Sequence, residues 1–166
     1  MKQILLVVCV MIAAMGFQSK RADYSGKWKL SLKLSKGLPS SFKHVDSYTM
    51  QVDQTDTSMV INTHLMGSGQ SVDFPPTIIP FDSAEQHRVD TLRGSDRWIS
   101  STWTTTGQKL IVTNKVTQHR GTTEQRYVET DVWQFGKRGT LMILVTQKFE
   151  GGDSSHTEQR YFSRVR

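Results

Sequence analysis

The chain has 166 residues, a formal net charge of +6 and one cysteine. This length suits a single domain with a sizeable core, and one cysteine excludes an internal disulfide framework. The basic residues are spread along the chain without the clustered stripe and aromatic signature of nucleic-acid binders, so we predict no nucleic-acid partner.

The first sixteen residues have the pattern of a cleaved export signal. Lys2 supplies a basic start, an apolar run follows, and Gly16 is a small residue directly before the expected cut. The apolar run is shorter than the ~20 residues that a membrane-spanning helix needs. The sequence therefore predicts a signal peptide over 1–16, a single mature domain over 17–166 without a transmembrane segment, and a periplasmic or secreted location.

Short alternating segments separated by turn residues recur along the mature chain, and no window shows sustained helical periodicity. The first follows Gly26 and places alternate apolar residues on one face of a strand: Trp28, Leu30, Leu32 and Leu34. The pattern predicts an all-β, antiparallel fold. We expect ten strands, near residues 26–35, 47–54, 58–65, 70–74, 85–91, 98–104, 109–117, 126–135, 140–149 and 157–165.

Two stretches interrupt this rhythm. Residues 36–46 form a long first connection that carries the apolar side chains of Phe42 and Val45. The prolines in the segment FPPTIIPF, residues 74–81, remove ladder donors, so this segment should be an edge, a bulge or a gap in a sheet. Either stretch could cover or open a cavity, and both could equally be ordinary surface loops.

The first and last strands resemble those of the calycins, the group that contains lipocalins and fatty-acid-binding proteins. Gly26 and Trp28 match the Gly-x-Trp of the calycin first strand, and Arg160 matches the arginine of the last strand of fatty-acid-binding proteins, with Phe162 in place of a tyrosine. The middle of the chain looks like exported bacterial lipocalin-like proteins. The resemblance implies an up-and-down β-barrel of about eight to ten strands, a range typical of small closed barrels. It also implies that Trp28 packs under Arg164 or Arg160 where the barrel closes.

The resemblance further implies a small apolar or amphipathic ligand, with a carboxylate as one option, held inside the barrel. The predicted ligand-binding residues are Arg160, Phe162, Met50, Met59, Ile61, Phe74 and Trp133, and the residues of barrel closure are Gly26, Trp28 and Arg164. Alternation along the last strand leaves a second option, in which Tyr161, Ser163 and Val165 face inward and Arg160 lies in water.

Two other functions stay open. The run at 141–145 is apolar on both faces, so Met142 and Leu144 could form an exterior surface for a protein partner. Glu129 and Asp131 share a strand face with Trp133 and could do acid and base work in an enzyme. A half-exposed polar strand end explains the two carboxyl groups as well. We predict a binding protein rather than an enzyme, with no catalytic residues, no metal site and no cofactor.

Overall fold

The computed structural model describes residues 20–91, 94–152 and 154–165. The predicted signal peptide lies outside these ranges. The described residues form an all-β, antiparallel fold, as the sequence predicts. Its eleven strands are β1 Gly26–Leu30, β2 Val45–Gln54, β3 Ser58–Gly67, β4 Gln70–Asp73, β5 Thr77–Pro80, β6 Gln86–Asp90, β7 Ser95–Trp103, β8 Lys109–Arg120, β9 Thr123–Phe135, β10 Leu141–Phe149 and β11 Ser155–Arg164.

The strands form one sheet in which neighbours in sequence are mostly neighbours in space. The order is β4-β3-β2-β1-β11-β10-β9-β8-β7-β6, so the first and last strands pair, and β5 pairs with β3. Strand β5 also contacts β7, where the Ser101 Oγ donates a hydrogen bond to the Pro80 carbonyl oxygen. No ladder of backbone hydrogen bonds closes the sheet within the described residues. The antiparallel sheet is thus confirmed, whereas the predicted closed barrel is not.

One face of the sheet, here called the inner face, carries a single hydrophobic core. Strand alternation places apolar side chains on it at every second position. The largest side chains that are fully buried there include Trp28, Met59, Leu110, Leu141 and Phe162. Tyr24, which precedes β1, joins this core and donates a hydrogen bond from its hydroxyl to the Trp133 carbonyl oxygen over 2.8 Å.

Trp28 lies under an arginine of the last strand, as predicted. The Trp28 ring is 1% exposed, its Nε1 donates to the Tyr24 carbonyl oxygen over 2.9 Å, and the Arg164 guanidinium lies 5.4 Å from the ring centroid. Gly26 explains the Gly-x-Trp pattern, because a Cβ at this position would lie 2.9 Å from Arg164 Nη2, and the φ of +130° is one that residues with side chains rarely adopt. Glycine therefore makes room for the guanidinium.

The other predicted strand bounds agree with the structure within three residues, and the larger differences are at β1 and β5. Strand β1 ends at Leu30 instead of continuing to residue 35, because the chain turns at Ser31, whose carbonyl oxygen accepts hydrogen bonds from the backbone N–H groups of Leu34 and Ser35. Leu32 and Leu34 are consequently exposed rather than inward. Strand β5 was not among the ten expected strands, but its ladder runs along β3 alone, which agrees with the edge that the prolines of residues 74–81 allowed.

Candidate functional site

The inner face encloses a cavity of about 510 Å³, called here the main cavity. Apolar side chains from β2, β3, β5, β8 and β10 form much of its wall: Met50, Ile61, Ile79, Val112 and Ile143. The lining also includes Pro75 and Pro76 of the β4–β5 connection and Val89 of β6, which is 63% exposed. These exposed positions belong to the two ends of the strand order, so the main cavity reaches solvent between them.

The structure brings most of the predicted ligand-binding residues to this cavity. Those that line it are Met50, Ile61, Phe74, Trp133, Arg160 and Phe162. Met59 does not line it, because its side chain is fully buried in the core opposite Ile79 of β5. The predicted closure residues Gly26, Trp28 and Arg164 also lie outside the lining. A role in binding stays a prediction for every one of these residues.

Arg160 points inward, so the alternative phase of the last strand is wrong. Phe162 is buried, while Ser163 and Val165 are exposed. The Nε of Arg160 donates to Glu158 Oε2 over 2.8 Å, and the carboxylate of Glu158 is 1% exposed. Burial alone would lower the pKa of the Arg160 guanidinium, but the hydrogen bond and charge of Glu158 outweigh it and raise the pKa above its ordinary value. Arg160 is therefore charged and already has a partner.

Glu129 and Asp131 both line the main cavity, so they do not form a half-exposed strand end. Strand β9 runs past them without a break in its register with β8 or β10. Glu129 accepts hydrogen bonds from Gln147 Nε2 over 2.7 Å and from Asn114 Nδ2 over 3.5 Å. The Oδ1 of Asp131 is buried and has no hydrogen-bond partner among the described residues. The two carboxyl groups thus have different environments.

Burial, together with the neighbouring charge of Glu129, raises the pKa of Asp131 to about 8. The guanidinium groups of Arg160 and Arg97 oppose this rise without cancelling it. At neutral pH the Asp131 carboxyl therefore holds a proton.

This raised pKa predicts how stability changes with pH. The folded chain keeps a proton on Asp131 up to about pH 8, whereas the unfolded chain loses it near pH 4, which is the ordinary value of about 3.9. The free energy of unfolding should therefore fall as the pH rises through this window. Asp131→Asn should remove this pH dependence. Its free energy of unfolding, compared with that of the wild type, should therefore be about 1–3 kcal/mol higher at pH 8 than at pH 5.

Urea unfolding of both proteins at pH 5 and pH 8 measures this difference. Asp46→Asn is the matched control, since Asp46 is an exposed carboxylate at the start of β2. Equal pH dependence in wild type and Asp131→Asn would contradict the raised pKa.

A second cavity of about 370 Å³ adjoins the first and shares Tyr48, Phe74, Arg97, Glu129 and Arg160 with it. The first connection of the chain borders this second cavity. It contains a short 3-10 helix, Ser40–His44, whose Phe42 lies 6.1 Å from the Tyr48 ring and 5.8 Å from the Arg160 guanidinium.

Sequence reasoning missed Arg88, Arg97 and Glu158. Arg88 and Arg97 line the main cavity, and Glu158 lines the second. Glu158 could have been found, because it has the same parity as Arg160 and Phe162 on one strand. The two arginines lie on strands with little apolar alternation, and hairpin register decides which way they point.

The exterior run proposed as a partner surface is only partly exposed. Met142 and Leu144 point away from the core but are half-buried. In the cross-strand register, Leu144 lies beside Val132, and Val132 lies beside Ile111. These side chains cover one another, which accounts for much of their burial.

No protein-family model matches the chain, and no curated protein matches its sequence. The calycin resemblance therefore rests on the residues named above. Within 20–91, 94–152 and 154–165, no helix has the length and apolar character needed to cross a membrane.

Proposed function

We propose that this chain is an exported bacterial binding protein that holds one small amphipathic molecule inside a calycin-like barrel. The observation that carries the proposal is the main cavity, whose volume of about 510 Å³ lies within the range of pockets that bind small molecules. Apolar side chains and polar or charged side chains share its wall, with Ile61, Val112 and Ile143 among the first and Arg88, Arg97 and Arg160 among the second. Such a lining suits a molecule with an apolar body and one polar group.

Two contacts support the barrel part of the proposal. Strands β1 and β11 pair, with Trp28 opposite Arg164. The Ser101 Oγ of β7 donates a hydrogen bond to the Pro80 carbonyl oxygen of β5. Because β5 pairs with β3, this bond links the two halves of the strand order near their ends. Because no backbone ladder joins the two ends of the strand order within the described residues, a ligand would have a route to the interior between them.

We propose binding rather than catalysis. Amide donors from Asn114 and Gln147 occupy both oxygens of Glu129, and Asp131 holds its proton at neutral pH. A general base must be ionised before it can take a proton from a substrate. Asp131 is not ionised at neutral pH, and two amides already bind the oxygens of Glu129, so we assign neither group the role of a base.

A fluorescent probe can test the proposal directly. N-phenyl-1-naphthylamine is neutral, apolar and bright only when removed from water, so saturable fluorescence with one molecule per chain is expected for the wild type. Thr63→Trp should weaken this binding at least about 10-fold, because Thr63 lines the main cavity and an indole there would fill space that the probe needs.

Thr49→Trp is the control for this experiment. Thr49 lies on the neighbouring strand β2, beside Met50 and therefore on the opposite face of the sheet. Equal loss of binding in both variants, or a wild type that never saturates, would contradict a ligand inside the cavity.

A further inference from the structure

Two arginines that face each other across a hairpin lie in the wall of the main cavity. Arg88 of β6 and Arg97 of β7 are direct cross-strand partners. Both line the cavity, and the Nε of each is buried without a hydrogen-bond partner among the described residues. Like charges placed directly opposite each other destabilise an antiparallel pair. An unpartnered buried donor adds a further cost.

Neither guanidinium takes part in an ion pair within the described ranges, whereas Arg160 has Glu158 at 2.8 Å. The nearby Asp131 is protonated at neutral pH, because burial raises its pKa to about 8. Glu129 is held by two neutral amides. Among the described residues, neither Arg88 nor Arg97 therefore has a carboxylate that pairs with it.

We infer that Arg88 and Arg97 form the subsite for an anionic head group of the ligand, a carboxylate or a phosphate. This inference rests on the proposed function and assigns the head group to a different place from Arg160. Guanidinium groups hold such oxyanions through paired N–H donors. An anion between the two arginines would relieve their repulsion and give their Nε groups acceptors.

The subsite also fixes the direction of the ligand. Arg88 is next to Val89, which is 63% exposed at the solvent-reaching side of the main cavity. Ile61, Val112 and Ile143 line the wall elsewhere. A ligand with its head on the arginine pair would therefore keep its charge near water and place its apolar chain against these side chains.

Chain-matched ligands test the inference: dodecanoate, dodecyl phosphate and dodecanol, each used to displace N-phenyl-1-naphthylamine. The double variant Arg88→Gln/Arg97→Gln should bind the preferred acid about 10- to 100-fold more weakly, the range expected for losing charge-assisted hydrogen bonds. Dodecanol should bind as it does to wild type. The acid that binds wild type more tightly identifies carboxylate or phosphate as the head group.

Arg126→Gln is the matched control, because Arg126 is an exposed arginine that pairs with Glu124. It should leave the affinity of all three ligands unchanged. The empty double variant should unfold at the same or a higher temperature, since it loses a like-charge contact; a large drop would show that the arginines are structural and would overturn the inference.

Two other outcomes are distinguishable. Equal affinity of wild type and double variant for both acids would overturn the arginine subsite and leave the proposed cavity ligand intact. If the wild type binds none of the four compounds, that is dodecanol, dodecanoate, dodecyl phosphate and N-phenyl-1-naphthylamine, both the proposed function and the subsite are overturned.

Discussion

Trp28→Ala is expected to destabilise the folded chain by about 3–5 kcal/mol, the usual cost of removing a buried aromatic side chain. The ring is 1% exposed. It bonds to the Tyr24 carbonyl oxygen, and Arg164 covers its face at 5.4 Å. Alanine would leave a cavity where β1 pairs with β11 and would remove the cation–π contact, which contributes about 0.5–2 kcal/mol.

Urea unfolding measures this loss, with Trp98→Ala as the control. Trp98 is only half-buried and stacks on His87, an exposed residue of β6. The control should therefore lose much less stability than Trp28→Ala. Equal losses in the two variants would contradict the central packing role assigned to Trp28.

Glu158→Gln is expected to cost about 3–5 kcal/mol, because removing one partner of a buried ion pair leaves the other charge uncompensated. Glu158 is almost the same size as glutamine, so the loss would come from charge rather than from packing. Its carboxylate holds Arg160 at 2.8 Å, and His156 Nε2 lies 3.5 Å from its other oxygen.

A second substitution distinguishes charge from shape. Glu158→Gln/Arg160→Met removes both charges and should recover most of the lost stability, as replacement of whole buried ion pairs often does. Glu124→Gln breaks the exposed pair with Arg126 and should cost at most about 1 kcal/mol. A double variant as unstable as Glu158→Gln would contradict this account of the pair.

Strand existence was predictable from sequence, because alternation and turn residues are local signals. All ten expected strands are present within the described residues. The early end of β1 and the additional strand β5 are the two main departures from the expected strands. The β1 pattern continues through Leu32, yet hydrogen bonds to Ser31 turn the chain first. Strand β5, Thr77–Pro80, exists despite its proline because it needs a ladder on one side only.

The candidate site was only partly predictable. Alternation along β9 and β11 groups Glu129 and Asp131 with Trp133 on one face, and Arg160 with Phe162 on one face. It does not decide whether a face that carries charged side chains points into the core. The environment of Asp131 depends on Arg97 of β7 and on Glu158 and Arg160 of β11, which come from other strands. Cross-strand register alone brings such groups together, and register depends on the whole sheet rather than on local sequence.

The most direct test of the central claim is a crystal structure with 12-bromododecanoate, in which anomalous scattering locates the bromine. The account predicts bromine inside the main cavity, near Ile61, Val112 and Ile143. Bromine found only on the exterior, against Met142 and Leu144, would contradict an internal ligand and would support a surface that binds apolar partners.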